Sequence, residues 1–303
     1  MQGLREDLSD VIYNLSPTDC PFTSNVGRGT ADAVYHEWQT MKLAAANVNN
    51  AQFQGDDIAT FTPASVTTRL GNRTQILRKE VIVSGTLDAV NKAGRKTELA
   101  FQMMNRMKEF KIDLESILLN NQAKVVGNTT TAPLLAGVPA WIITNTNIGT
   151  GTAANPAGDG TNARTDGTTR AFTEPLLQDV LQKIWTNCGE EPDVLMVGAA
   201  NKKLASAFTG NATKMVDVAT RKLTATVDVY VGDFSSVSII ANRWQRARDA
   251  FVLNWDYWSV DWLRPVKQVE LAVTGDAAKR MIVGEVTLAA KNESSSGIIA
   301  DLS

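Results

Sequence analysis

A chain of 303 residues is long enough for one elaborate domain or two modest ones with a sizeable core. Its 30 basic and 32 acidic residues leave a formal net charge of −2, which argues against gripping nucleic-acid phosphates as the main activity. Cys20 and Cys188 lie far apart, without paired-thiol spacing, and neither a signal peptide nor an apolar run of the ~18–20 residues a membrane span needs is visible, so a soluble intracellular product with reduced thiols is expected. The first predicted element is a short amphipathic helix over 4–13, with Leu4, Leu8, Val11 and Ile12 on one face. Pro17 and Pro21 then fix an extended step, and Gly27 and Gly29 interrupt any regular element that starts there. The chain thus opens with an arm, a segment stabilised by packing on other surfaces, and this points to assembly.

Residues 44–63 are polar and turn-rich, and 64–86 are β-branched around Gly71-Asn72, which predicts a two-stranded ribbon with too few apolar residues for a core of its own. Between 64 and 79 the charges are Arg69, Arg73, Arg78 and Lys79, with no acid. They fit a solvated edge protected by charge or an intersubunit contact on an acidic neighbour such as the arm, where Arg5 and Arg28 face Glu6, Asp7, Asp10, Asp19, Asp32 and Glu37. Over 96–123, Met103, Met107, Phe110, Leu114 and Ile117 step by helical spacings, with Phe101, Met104, Leu118 and Leu119 widening the stripe, so a helix of about 40 Å ended by Gly127 is expected. Its methionines suit core packing better than an adaptable binding surface.

Residues 136–144 predict a short strand and 145–169 a poorly ordered surface loop, whose glycines lack the lysine and flanking elements of a phosphate loop. An α/β pattern follows. Thr173-Glu174-Pro175 starts a helix with Leu176, Leu177, Val180, Leu181, Ile184 and Trp185 on its apolar face, and Gly189 stops it. Strands are expected over 193–197, 227–231 and 237–241, with a helix over 199–208 and a turn at Gly232-Asp233. The aromatic alternation over 251–263 could stack bases, but Asp256 and Asp261 without a nearby lysine favour packing in a core or a subunit interface. Strands over 266–274 and 280–290, around Gly275-Asp276, are expected to pair near the base of the ribbon and beside the long helix.

No catalytic constellation stands out. His36 is the single histidine, no Gly-x-Ser-x-Gly elbow accompanies it, and a zinc helix would need a second histidine. The paired acids Glu190-Glu191 and Asp56-Asp57 sit in turn-rich sequence typical of solvated loops. The expectation is a protein without catalysis, cofactor or metal.

Ser16-Pro17-Thr18-Asp19-Cys20-Pro21-Phe22, Gly27 and His36-Glu37-Trp38-Gln39-Thr40 resemble the N-terminal signature of one group of tailed-bacteriophage major capsid proteins. Gly284-Glu285-Val286-Thr287-Leu288, Lys291-Asn292-Glu293 and Gly297 resemble that group's last strand and tail, while Cys20 departs from it where a small residue such as threonine is expected. The resemblance implies an α+β chain of the Hong Kong 97-type capsid fold: an N-terminal arm (1–43), an extended β-ribbon loop (44–86), a peripheral domain (87–129 and 261–303) with a spine helix (96–123), and an axial domain (130–260). It further implies a head protein that self-assembles into hexamers and pentamers of an icosahedral shell enclosing phage DNA, in the virion and assembled in the host bacterial cytoplasm. The implied partners are further copies, a portal, scaffolding or decoration proteins, and packaged double-stranded DNA held without sequence reading. Pro17, Phe22, Trp38, Arg69, Arg73, Arg78 and Lys79 are the expected intersubunit contacts. No long helical extension precedes the arm, so a fused scaffolding segment is not expected. A nanocompartment shell of the encapsulin kind shares this fold and stays open as an alternative, with an unfamiliar enzyme as the remote one.

Overall fold

The computed structural model describes residues 16–303 except 56, 59–60, 62–65, 91–96, 209–215, 218–221 and 224–228, and only the backbone of 216–217 and 222–223. The helix expected over 4–13 lies outside the described residues. In chain order the elements are α1 (Pro21–Asn25), β1 (Gly27–Thr30), β2 (Tyr35–Thr40), β3 (Thr68–Arg73), β4 (Gln75–Ser84), α2 (Gly85–Ala89), α3 (Glu98–Leu119), β5 (Thr146–Asn147), α4 (Glu174–Asn187), β6 (Val194–Val197), α5 (Ala199–Ala205), β7 (Val216–Asp217), β8 (Lys222–Leu223), β9 (Val229–Val231), β10 (Ser236–Ala241), β11 (Ala250–Leu253), β12 (Trp258–Glu270), β13 (Ala277–Ala290) and β14 (Gly297–Ile299).

Two sheets organise the chain. The first has the order β1-β12-β13-β4, and α3 lies across it. Helical spacing puts Met103, Phe110, Leu114 and Leu118 on the buried face of α3, opposite Leu77, Val81 and Val83, the inward-facing residues of alternating β4. The helix has 22 residues, about 33 Å at ~1.5 Å each, shorter than the sequence suggests. It stops at Leu119 because Asn120 turns extended and Gln122 donates to the Leu135 carbonyl at 2.8 Å, starting the hairpin-like bridge of Val125 with Leu134. Met104, expected on the buried stripe, is half-exposed.

The second sheet has the order β5-β14-β11-β6-β10-β9, with α4 packed on it through Leu177, Val180, Leu181 and Ile184. Strands β9 and β10 pair antiparallel around the expected turn. Trp185 does not join the buried face of α4; it stays exposed and leans on Phe234 at 5.7 Å. Strand β14 lies between β5 and β11, so the end of the 261–303 segment belongs to the central sheet, although β12 and β13 belong to the first.

Four sequence expectations are corrected. Residues 64–86 do not form a ribbon on themselves: β3 pairs with β2 of the arm segment, and β4 leaves to pair with β13. Gly71-Asn72 is not a turn but part of β3, where a Cβ on Gly71 would meet the Tyr35 ring at 2.8 Å. Residues 136–144 form a buried 3₁₀ turn (Val138–Ala140) rather than a strand, as Pro139 removes a ladder donor. Residues 145–169 are not a loose loop: they are bound by polar groups in place of apolar ones, through Arg164 Nη2 to the Ile142 carbonyl (2.6 Å) and through Asp301, which accepts from Gly167 N at 2.6 Å. The aromatic run divides into β11, a 3₁₀ turn and β12; Phe251 and Trp258 are wholly buried, and Trp258 Nε1 donates to Ser296 Oγ at 2.9 Å.

Candidate assembly surface

The stem of the arm is fixed by one buried acid. Helix α1 has proline at its first turn and no capping side chain, so its leading N–H groups need outside acceptors. Glu115 of α3 supplies them: its carboxylate accepts from Phe22 N (2.7 Å) and Thr23 N (2.8 Å), and from Asn242 Nδ2 beyond β10 (2.7 Å). Phe22 is thereby sunk completely, 6.0 Å from the Trp255 ring, while Pro17 stays exposed on the stem. Of the expected contacts, Phe22 has therefore no surface left on this chain to offer a neighbour.

The ribbon formed by β2 and β3 is clamped at its root. Asn72 is buried with both ends of its amide used, donating to the Ala136 and Leu288 carbonyls (3.2 and 2.8 Å) and accepting from Ala136 N (2.8 Å). Lys124 Nζ donates to the Gly71 and Asp159 carbonyls (2.8 and 2.7 Å) and to Tyr35 Oη (3.2 Å), and it lies 5.9 Å from the Trp141 ring. Trp38, half-buried, packs on Trp141 at 5.2 Å. His36 Nε2 sits 3.0 Å from Asp261 Oδ2. Ser259 Oγ, 3.2 Å from the same carboxylate, bonds to the acid and not to the imidazole, so the group lacks the nucleophile-to-base contact of a catalytic triad. Lys124→Met leaves two backbone carbonyls without their donor, and a loss of about 1–2 kcal/mol in urea unfolding is expected.

Beyond this root the chain stands away from its own core. Between 41 and 67 the apolar residues Leu43, Val48 (93% exposed), Phe53 (87%), Ile58, Phe61 (79%) and Val66 face solvent, far more than scattered surface residues would. Read as polar and turn-rich over 44–63, the sequence hides Val48, Phe53, Ile58 and Phe61, and their wide, irregular spacing, which fits neither helix nor strand, is the available signal. The four cations of the expected contact set find partners within the chain. Arg69 meets Glu37 at 2.5 Å, Arg73 lies 4.8 Å over the Tyr35 ring, Arg78 meets Glu80 at 2.6 Å and Lys79 meets Asp113 of α3 at 2.6 Å. Of these pairs, only Arg69 with Glu37 is an ion pair between β3 and β2; Arg78 and Lys79 find their acids in β4 and α3.

A second electrostatic feature ties the 145–169 segment to the central sheet. Arg246 Nη2 meets Asp166 Oδ2 at 2.5 Å, and Arg248 Nη2 meets Asp301 Oδ1 at 2.9 Å. Arg164, almost wholly buried, is pushed down to about 10 by burial. Asp249 is fully buried; Arg246 Nη1 approaches to 3.2 Å, yet neither carboxylate oxygen accepts an aligned hydrogen bond from a described residue. Burial raises its pKa to about 6, against the pull of Arg246 and Arg164.

Two sheets with a helix across the first, a clamped ribbon and an exposed apolar loop define a capsid-type fold. Solved structures share the architecture: the capsid of Cyanophage A-1(L), with a TM-score of 0.65 at 13% identity over 99% of this chain and 97% of that one, and the SrpI encapsulin of Synechococcus elongatus PCC 7942, with a TM-score of 0.56 at 9% identity over 99% and 92%. These likenesses carry the Hong Kong 97-type fold but do not divide phage shells from nanocompartments. Sequence does. The major capsid protein of Escherichia phage Phieco32 is 30% identical over 332 aligned residues, covering 98% of this chain and 94% of that protein. The SU10 major capsid protein family model matches residues 1–303, and the chain belongs to that family. It is a phage major capsid protein, a structural component of the virion.

Proposed function

We propose that this chain acts by geometry alone, without catalysis, as the repeating subunit of hexamers and pentamers in an icosahedral shell. The carrying observation is the 41–67 loop: among its described residues, seven large apolar side chains, Met41 included, are held in water beyond a ribbon whose root is fixed. Such a surface is stable only when it is covered, and further copies of the chain are the partner a shell subunit meets at highest concentration. The loop crosses onto the neighbouring subunit, with Pro17, Trp38 and the exposed Arg69 and Arg78 flanking the contact and Arg73 and Lys79 holding the ribbon's own geometry. The arm, ribbon, peripheral and axial divisions of the sequence serve as the working division of labour. Packaged DNA is met non-specifically on the inner face, consistent with a near-neutral chain. A portal and scaffolding or decoration proteins complete the head, which assembles in the host cytoplasm.

Phe53→Asp combined with Phe61→Asp tests this. Both residues are exposed, so the subunit should unfold at the wild-type urea midpoint, while shells, tubes and rings disappear from negative-stain images and sedimentation shows only slow species. Normal shells from the double variant would overturn the role of the loop.

A further inference from the structure

A groove of about 470 Å³ runs between the arm stem, α3 and β12. Its floor is apolar, with Met107, Phe110, Leu114, Val260, Trp262 and Val266, and its rim carries Arg28 and Lys111. Both cations are exposed, and neither forms an ion pair with a described carboxylate. The wall also includes Thr18, only three positions after Leu15, so the chain enters the described structure at the mouth of the groove.

We propose that this groove is the seat of residues 1–15 of the same chain. That segment puts Leu4, Leu8, Val11 and Ile12 at helical spacing on one face and carries Glu6, Asp7 and Asp10 against a single Arg5. Apolar residues match the floor, acids match the two unpaired rim cations, and the short tether keeps the segment close to the site. The exposed loop of a second copy is the competing occupant. It fits less well: over 41–67 Asp56 and Asp57 stand against Lys42, a net charge of −1 beside −2 for residues 1–15, and it has no tether at the mouth of the groove. Seating of this kind is independent of the loop contact proposed above, since it uses other residues and closes within one subunit.

Disulfide trapping in the full, unassembled chain tests the seat. In a Cys20→Ser, Cys188→Ser background, Leu8→Cys is combined either with Met107→Cys, on the floor, or with Met104→Cys, half-exposed on the outer face of the same helix. Under oxidised glutathione, a monomeric cross-link to position 107 is expected to form at least tenfold faster than one to position 104. Equal rates would mean a free tail, and a cross-linked dimer would mean an occupant from a second copy; either result overturns the proposal. If the floor variant fails to fold, the native thiols decide: deleting residues 2–15 should speed labelling of Cys20, which lines the groove, at least tenfold relative to Cys188, and an unchanged ratio overturns it.

Discussion

Glu115→Ala is expected to cost about 3–5 kcal/mol of unfolding free energy, because it strips the acceptor from three donors at once. Phe22 N and Asn242 Nδ2 are buried, Thr23 N is partly so, and an orphaned buried donor is worth about 1–3 kcal/mol. Neutral Glu115→Gln retains one carbonyl oxygen and should lose roughly half as much. The readout is a urea titration of the unassembled chain, joined to hydrogen exchange at Phe22 and Thr23. Exchange at those amides should accelerate far more than in β6 or β11, since α1 has no cap of its own to fall back on. A midpoint shift worth under 1 kcal/mol, or unchanged exchange, would show that Glu115 does not hold the stem. The same carboxylate reaches α1, belongs to α3 and binds the turn after β10, so its loss should also let the arm root and the central sheet move independently.

The second large effect concerns Asp249. A carboxyl whose folded pKa is raised to about 6, against an ordinary value of 3.8, binds more protons in the folded state than in the unfolded one between about pH 4 and 6. Stability from this group is therefore present at low pH and is lost as pH rises through 6. The difference of about 2 pKa units corresponds to about 3 kcal/mol. Asp249→Asn removes the titration, and Arg246 keeps Asp166 as its partner at 2.5 Å. Relative to the asparagine variant, the native chain should thus lose roughly 2 kcal/mol of that between pH 4 and pH 7, measured as paired urea midpoints. Parallel pH profiles for the two proteins would remove Asp249 as the source.

Much of this architecture was legible because it rests on periodicity. The long helix, the helix after Thr173, the buried strand at 194–197, the hairpin around Gly232 and the strands on either side of Gly275 all follow from apolar spacing and turn residues. The failures share a different physical cause: residues read for their backbone preference were in fact placed for long-range contacts. Gly71 serves the close approach of Tyr35, and Asn72 serves carbonyls 64 and 216 positions away. Pairing of β3 with β2 spans the whole 41–67 loop, and no local signal specifies such a register. The 145–169 segment lacks apolar residues yet is held by Arg164 and Asp301, whose importance shows only when their partners are in place. The exposed apolar loop was hidden for the converse reason: Asn47, Asn49, Asn50, Gln52 and Gln54 stand between its apolar residues, and no helical or strand period links those.

Strand β14 lies inside the second sheet, bonded to β5 on one side and to β11 on the other. These neighbours leave the ribosome long before it does, so the sheet has a vacant central place until residues 297–299 have been synthesised. Helix α4 packs against that same strand, and its buried face stays partly uncovered for as long. A chain lacking residues 297–299 therefore leaves β5 and β11 without their shared partner. The second sheet and the helix that covers it thus close only around a strand far along the chain from both β5 and α4.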